Sequence, residues 1–96
     1  MPYLSVMRIS GDPDELVAGY ETISAVMGRV APENGIISHV AAKTDDGLLI
    51  VNLWESKEGS EATAEHPDVE KAREDSGVSP EQVTFEHYET LNYQQP

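Results

Sequence analysis

The stretch Gly47-Leu48-Leu49-Ile50-Val51-Asn52-Leu53-Trp54-Glu55-Ser56 decides how the chain folds. A strand with one wet face alternates apolar and polar side chains, because successive residues point to opposite faces. Here Leu48 to Val51 run apolar without a break, and Leu53-Trp54 resume after a single Asn52. The segment reads as a strand, Leu48 to Glu55, covered on both faces. Just before it, Thr44-Asp45-Asp46-Gly47 separates it from the β-rich Ile36 to Lys43. Asp-Gly between two such segments signals a hairpin, so these strands are expected to be antiparallel neighbours.

The other elements follow from periodicity and breakers. Tyr3 to Ile9 is β-rich and ends at Ser10-Gly11-Asp12-Pro13, which predicts a first strand. Asp12 then suits a helix N-cap, with Pro13 at the first helical position and Glu15 placed to reach back. Leu16, Val17, Tyr20, Ile23, Met27 and Val30 recur at helical spacing, the stripe of an amphipathic helix laid on something flat. Pro32-Glu33-Asn34-Gly35 stops it. Ser56 to Ser76 is small and charged, and Pro67 divides it into helical pieces at Lys57 to Glu65 and about Asp68 to Asp75. Val83 to Leu91 alternates as a fourth strand, and the tail, residues 91–96, has no pattern. The order β-α-β-β-α-β predicts one α+β domain over residues 1–96. Its fold is ferredoxin-like, a four-stranded antiparallel sheet with helices on one face.

Helices on one face leave the other face of the third strand uncovered. It would expose two or three large aliphatics per strand, more than a soluble monomer usually shows. A second copy of the same sheet is the simplest cover, so a homodimer is expected. Composition narrows the remaining partners. With 18 Asp and Glu against 6 Lys and Arg the formal charge is -12, which repels a phosphate backbone and an acidic membrane surface. Nucleic acid and membrane are therefore excluded, and no apolar run nears the roughly 20 residues of a spanning helix. The start MPYLSVMRIS lacks the basic and long apolar regions of a secretory signal. With no cysteine there is neither disulfide nor thiolate chemistry, and a cytoplasmic protein is expected.

In element order and length the chain resembles the dimeric α+β barrel proteins of the antibiotic-biosynthesis monooxygenase and stress-responsive type. The likeness includes Asp45-Asp46-Gly47 between strands two and three, and Trp54-Glu55-Ser56 closing the third strand before a helical region that carries His66. It covers nearly all of the chain and implies a homodimer in which two sheets face each other across a two-fold axis. Members that oxidise polycyclic aromatic substrates without metal or flavin bind them between sheet and helices, near an Asn and a Trp on the third strand. Trp54 matches that Trp. The family's Asn lies further upstream, where this chain has Leu48 to Ile50.

Read from the residues themselves, His39, Asn52 and Trp54 form the candidate catalytic site. A turn at Asp46-Gly47 sets His39 opposite Trp54, and a turn at Asp45-Asp46 sets it opposite Asn52. Either register puts all three side chains on one face, whereas a three-residue loop would split them. An imidazole, an amide and an indole N–H would then share a partly polar pocket with Leu48 and Ile50, able to orient a small ligand. Tyr20, Ile23 and Met27, with Leu16, are expected to supply its apolar wall opposite Ile50. Each polar residue has a structural alternative: Trp54 as core, and His39 as a neutral imidazole bonded to backbone. Asn52 could equally be held by structural partners, because an unpaired buried amide costs about 1–3 kcal/mol.

His87 is expected to face inward on strand four with Glu86 and Tyr88 opposite, His66 to be a surface or hinge residue, and Arg8 to pair with a carboxylate. The three histidines lack metal-ligand spacing, so no metal site is expected. Nor is a cofactor. There is no Gly-x-Ser-x-Gly elbow, phosphate loop or dinucleotide fingerprint, which leaves hydrolase, kinase and dehydrogenase readings without support.

Two functions remain. In the first, a small enzyme acts on an apolar, aromatic metabolite, as the cofactor-independent monooxygenase that the resemblance implies. His39 serves as base or hydrogen-bond donor, and Asn52 and Trp54 position an oxygen. In the second, the barrel is non-catalytic and binds a small ligand or a protein partner.

Overall fold

The computed structural model of the chain describes residues 1–94. It places β1 at Tyr3–Ser10, α1 at Pro13–Val30, β2 at Ile36–Thr44, β3 at Gly47–Trp54, α2 at Lys57–Glu65, α3 at Pro67–Asp75 and β4 at Val83–Glu89. Short 3-10 turns occupy Ala31–Asn34 and Pro80–Gln82. The fourth strand stops before Leu91, which is 95% exposed. Residues 91–94 carry no helix or strand, and the rest of the expected tail lies outside the described residues.

Local chemistry sets the helix starts. Asp12 Oδ1 accepts from the backbone amides of Asp14 at 2.9 Å and Glu15 at 3.3 Å, with Pro13 in the first turn of α1. Ser56 Oγ accepts from the amide of Gly59 and opens α2. Pro67 forces the preceding residue out of helical geometry, and His66 there has φ -61° and ψ 131°. Its Nδ1 accepts from the amide of Asp68 at 3.1 Å, so this half-buried histidine is the cap of α3.

The strands lie in the order β2-β3-β1-β4, all antiparallel. Of the two hairpin registers, the chain takes the Asp45-Asp46 loop: Thr44 pairs with Gly47 and His39 with Asn52. Strand β3 is therefore hydrogen-bonded along both edges, to β1 and to β2. Its alternate residues Leu48 and Ile50 turn to the helices and close a core with Ile9 and Leu16. Leu49 and Val51 point the other way and are only half-buried. Val40, paired with Val51, is 59% exposed. The helices account for one face of β3 and leave Leu49 and Val51 on the other, also apolar, half-buried.

Two backbones approach closely where β3 begins. A Cβ on Gly47 would stand 1.8 Å from the carbonyl oxygen of Ile9 on β1, so any side chain there prises the two strands apart. Gly28, on the exposed side of α1, meets nothing within 4 Å. Gly47→Ala is expected to lower stability by about 3 kcal/mol or more. Gly28→Ala should raise it by up to about 1 kcal/mol through helix propensity. Denaturant midpoints of the two variants against the parent chain check both.

Candidate functional site

Between the helices and the sheet lies a cavity of about 490 Å³, within the usual range for small-molecule sites. Strand β3 supplies its floor through Ile50, Asn52 and Trp54, and β2 contributes His39. Helix α1 supplies Tyr20, Ile23 and Met27. The Asp45-Asp46 register brings the residues expected at the site to one cavity except Leu48, which is buried in the core, and Leu16. The Leu16 side chain sits one turn nearer the start of α1, is buried, and fills the core with Ile9, Leu48 and Ile50.

The polar groups form a chain. His39 Nδ1 lies 2.5 Å from Asn52 Oδ1, and His39 Nε2 lies 2.7 Å from the Tyr20 hydroxyl. An amide oxygen only accepts, so Nδ1 carries a proton and donates it to Asn52. In the neutral imidazole Nε2 is then the acceptor, taking the O–H of Tyr20. The Tyr20 and His39 rings lie nearly parallel, 6° apart in plane. Asn52 is 8% exposed and His39 is exposed on the edge strand. The chain therefore runs from the covered floor of the cavity to its rim.

Trp54, 2% exposed, donates its indole N–H to Ser5 Oγ at 3.2 Å across the β1–β3 pair. Its ring presents an apolar surface while its one donor is engaged. The Asn52 oxygen is likewise occupied, by His39, and its amide nitrogen is the part of that side chain the His39 bond does not use.

The lining was legible in the sequence only in part. Tyr20 was legible as the lone hydroxyl in the helix stripe, but its bond to His39 depends on where α1 crosses β2. Arg73 of α3 also lines the cavity, with no pattern in its charged helix to mark it. On β4, His87 faces the cavity as expected, stacked between Phe85 and Tyr3 at ring separations of 6.0 and 5.8 Å.

On the opposite face, Arg8 pairs with Glu86 at 3.0 Å, and Tyr88 donates to the same carboxylate at 2.6 Å. The Tyr88 bond first, and Arg8 second, hold the Glu86 carboxyl below its ordinary value, and the same contact raises the Tyr88 hydroxyl. Among the described residues no group of three or more His, Cys, Asp or Glu is placed to hold a metal ion, and no helix is long and apolar enough to cross a membrane.

No family model and no curated protein matches the sequence. Solved structures do match in shape. Rv0793 from Mycobacterium tuberculosis is 18% identical with a TM-score of 0.76, over 99% of this chain and 100% of that one. A dimeric ferredoxin-like protein of unknown function from Jannaschia sp. CCS1 is 12% identical with a TM-score of 0.75, over 94% and 100%. A Nitrosomonas europaea protein provisionally described as an antibiotic biosynthesis monooxygenase is 15% identical with a TM-score of 0.75, over 94% and 90%. The chain shares their ferredoxin-like fold. The resemblance carried by the Asp45-Asp46-Gly47 turn and the Trp54-Glu55-Ser56 strand end therefore holds in the fold, and at these identities the fold is what it carries.

On this ferredoxin-like sheet, Asn52 is the group that fixes the imidazole tautomer of His39. NMR of the imidazole nitrogens is expected to find the proton on Nδ1 in the parent chain. In Asn52→Leu it should move to Nε2 in a measurable fraction of molecules, with stability changing by about 1 kcal/mol. An unchanged tautomer would remove Asn52 from that role.

Proposed function

We propose that the cavity takes an apolar, aromatic small molecule and that Tyr20, His39 and Asn52 together remove a proton from it. The observation that carries this reading is the hydrogen-bonded chain Tyr20–His39–Asn52 set beside the apolar side chains Ile23, Met27, Ile50 and Trp54 of the cavity. A ligand with an acidic C–H or O–H, resting against the Tyr20 oxygen, gives its proton there as the Tyr20 proton passes to His39 Nε2. The Nδ1–H bond to Asn52 strengthens as the imidazolium forms, because a charged donor makes the stronger hydrogen bond. Ile23, Met27, Ile50 and the Trp54 ring hold the flat ligand and keep water from it. What leaves the relay is an electron-rich ring anion.

Such an anion is a substrate for dioxygen, and the monooxygenase description of the Nitrosomonas structure supports that continuation. In it a ring methylene becomes a ring carbonyl. Electrons leave the carbon and reduce both oxygen atoms; one stays in the carbonyl, and the other departs as water with the two methylene hydrogens. A second reading, ligand binding without turnover, is favoured by the Trp54 indole N–H and the Asn52 amide oxygen, which are already engaged by Ser5 and His39.

The relay is tested without dioxygen by the exchange of acidic methylene hydrogens of β-tetralone for solvent deuterium. The parent chain is expected to accelerate it, and His39→Ala to reduce that acceleration about a hundredfold or more with little change in melting temperature. Saturable binding with no accelerated exchange would leave the non-catalytic reading. A His39→Ala chain that mainly loses stability would make the histidine structural.

The second copy expected from the sequence is proposed to sit on the helix-distal face. The half-buried Leu49 and Val51 and the exposed Val40 support it, as does the dimeric description of the Jannaschia structure. Light scattering at micromolar concentration should give twice the 10.5 kDa of one chain. Val51→Glu is expected to yield a folded monomer. Ile50→Glu, on the helix side and 4% exposed, should instead unfold the chain, because an unpaired buried charge costs several kcal/mol. A parent chain that scatters as a monomer would discard the dimer.

A further inference from the structure

Of the six Lys and Arg side chains, four reach a carboxylate: Arg8, Arg29, Lys43 and Lys57. Arg73 lines the cavity and is spent differently. Its Nη2 donates to the backbone carbonyl of Ala64, one of the carbonyls that the end of α2 leaves without a helical partner. Its Nε is buried and has no hydrogen-bond partner among the described residues. A chain with 18 acidic side chains offers ample opportunity to pair a guanidinium. Glu70 and Glu74 line the same cavity, yet no ion pair joins either of them to Arg73 among the described residues. Leaving a charged donor buried and unpaired is unfavourable, and an incoming acceptor relieves it.

We infer that Arg73 is the anchor for a carboxylate on the ligand, so that the cavity takes an aromatic carboxylic acid with its acid group toward α3 and its ring against Ile50 and Asn52. This rests on the cavity being the ligand site proposed above and adds the class of molecule it takes. Carboxylate fits the donor: a small turn of the side chain about its stem presents Nε and one terminal nitrogen as a planar fork, matching the two carboxylate oxygens. The long-range field opposes this ligand, since the chain is strongly acidic and Glu70 and Glu74 stand at the cavity wall. Attraction therefore has to come from direct pairing. Two consequences follow: added salt should not weaken binding, because it screens the repulsive field, and a lysine should replace Arg73 poorly, because it lacks the fork.

The test compares naphthoate with the neutral naphthylmethanol by titration calorimetry, on the parent chain and on Arg73→Gln and Arg73→Lys. Glutamine keeps an amide donor for the Ala64 carbonyl, and circular dichroism checks that each variant is folded. The parent is expected to bind naphthoate about tenfold or more tightly than naphthylmethanol, the range of a charge-assisted hydrogen bond. Arg73→Gln should erase that preference while leaving naphthylmethanol affinity unchanged, and Arg73→Lys should restore only part of it. Equal affinities in the parent, or a preference that survives Arg73→Gln, would overturn the carboxylate anchor and leave the aromatic cavity standing. Failure of both compounds to bind the parent would overturn the cavity reading as well. If Arg73→Gln does not fold, the ratio in the parent and in Arg73→Lys decides.

Discussion

Strand β3 is hydrogen-bonded on both edges, and the rest of the molecule is arranged around that pairing. A doubly paired strand has no free backbone groups to solvate, so its side chains carry all of its remaining chemistry. On one face Leu48 and Ile50 close the core with Ile9 and Leu16, which fixes where the first turns of α1 settle. On the other face Leu49 and Val51 carry no helix above them. An antiparallel sheet can leave one face in water, but its strands then carry polar residues there; β3 does not.

The same strand holds an amide within its apolar run, and the cost of leaving such a group unpaired explains the geometry of the cavity. Asn52 finds His39 across the β2–β3 pair because the Asp45-Asp46 loop makes them direct partners. His39 in turn has a second nitrogen, and Tyr20 of α1 meets it. Each bond settles the requirement created by the one before, passing from a nearly covered amide to an exposed ring. A chain of polar groups with that order is both a structural solution and a path for a proton, since the bonds that satisfy Asn52 also leave the imidazole with one donor and one acceptor.

Charge is distributed with a comparable division. Exposed pairs such as Lys43–Asp14 at 2.8 Å join α1 to β2; being open to solvent, pairs of this kind contribute little to stability. The Arg8–Glu86–Tyr88 group sits on the helix-distal face, opposite the cavity, as the alternation of β1 and β4 requires. Arg73 is the lysine or arginine that the fold turns toward the cavity instead.

Much of this was written in local sequence. Asp12 and Pro13 mark the start of α1 through the backbone amides they cap or omit, Pro67 divides the second helical region, and the apolar run of β3 marks a strand without a polar face. Given a two-residue loop, period-two geometry also put His39, Asn52 and Trp54 on one face, because any such loop preserves side-chain parity. It could not choose between Trp54 and Asn52 as the partner of His39, since Asp46-Gly47 and Asp45-Asp46 are both plausible turns, and the choice fell to the ladder that Gly47 makes against β1, where only a residue without Cβ fits beside the Ile9 carbonyl. The parts that only the tertiary structure decided are those set by how layers cross. Leu16 went to the core and not the cavity, Tyr20 reached His39, and Arg73 came to the cavity wall from a helix whose sequence reads as solvated surface. Local patterns fix which way a side chain points from its own element; the distance to a side chain on another element depends on the angle and offset at which the two pack, and no short stretch of sequence encodes either.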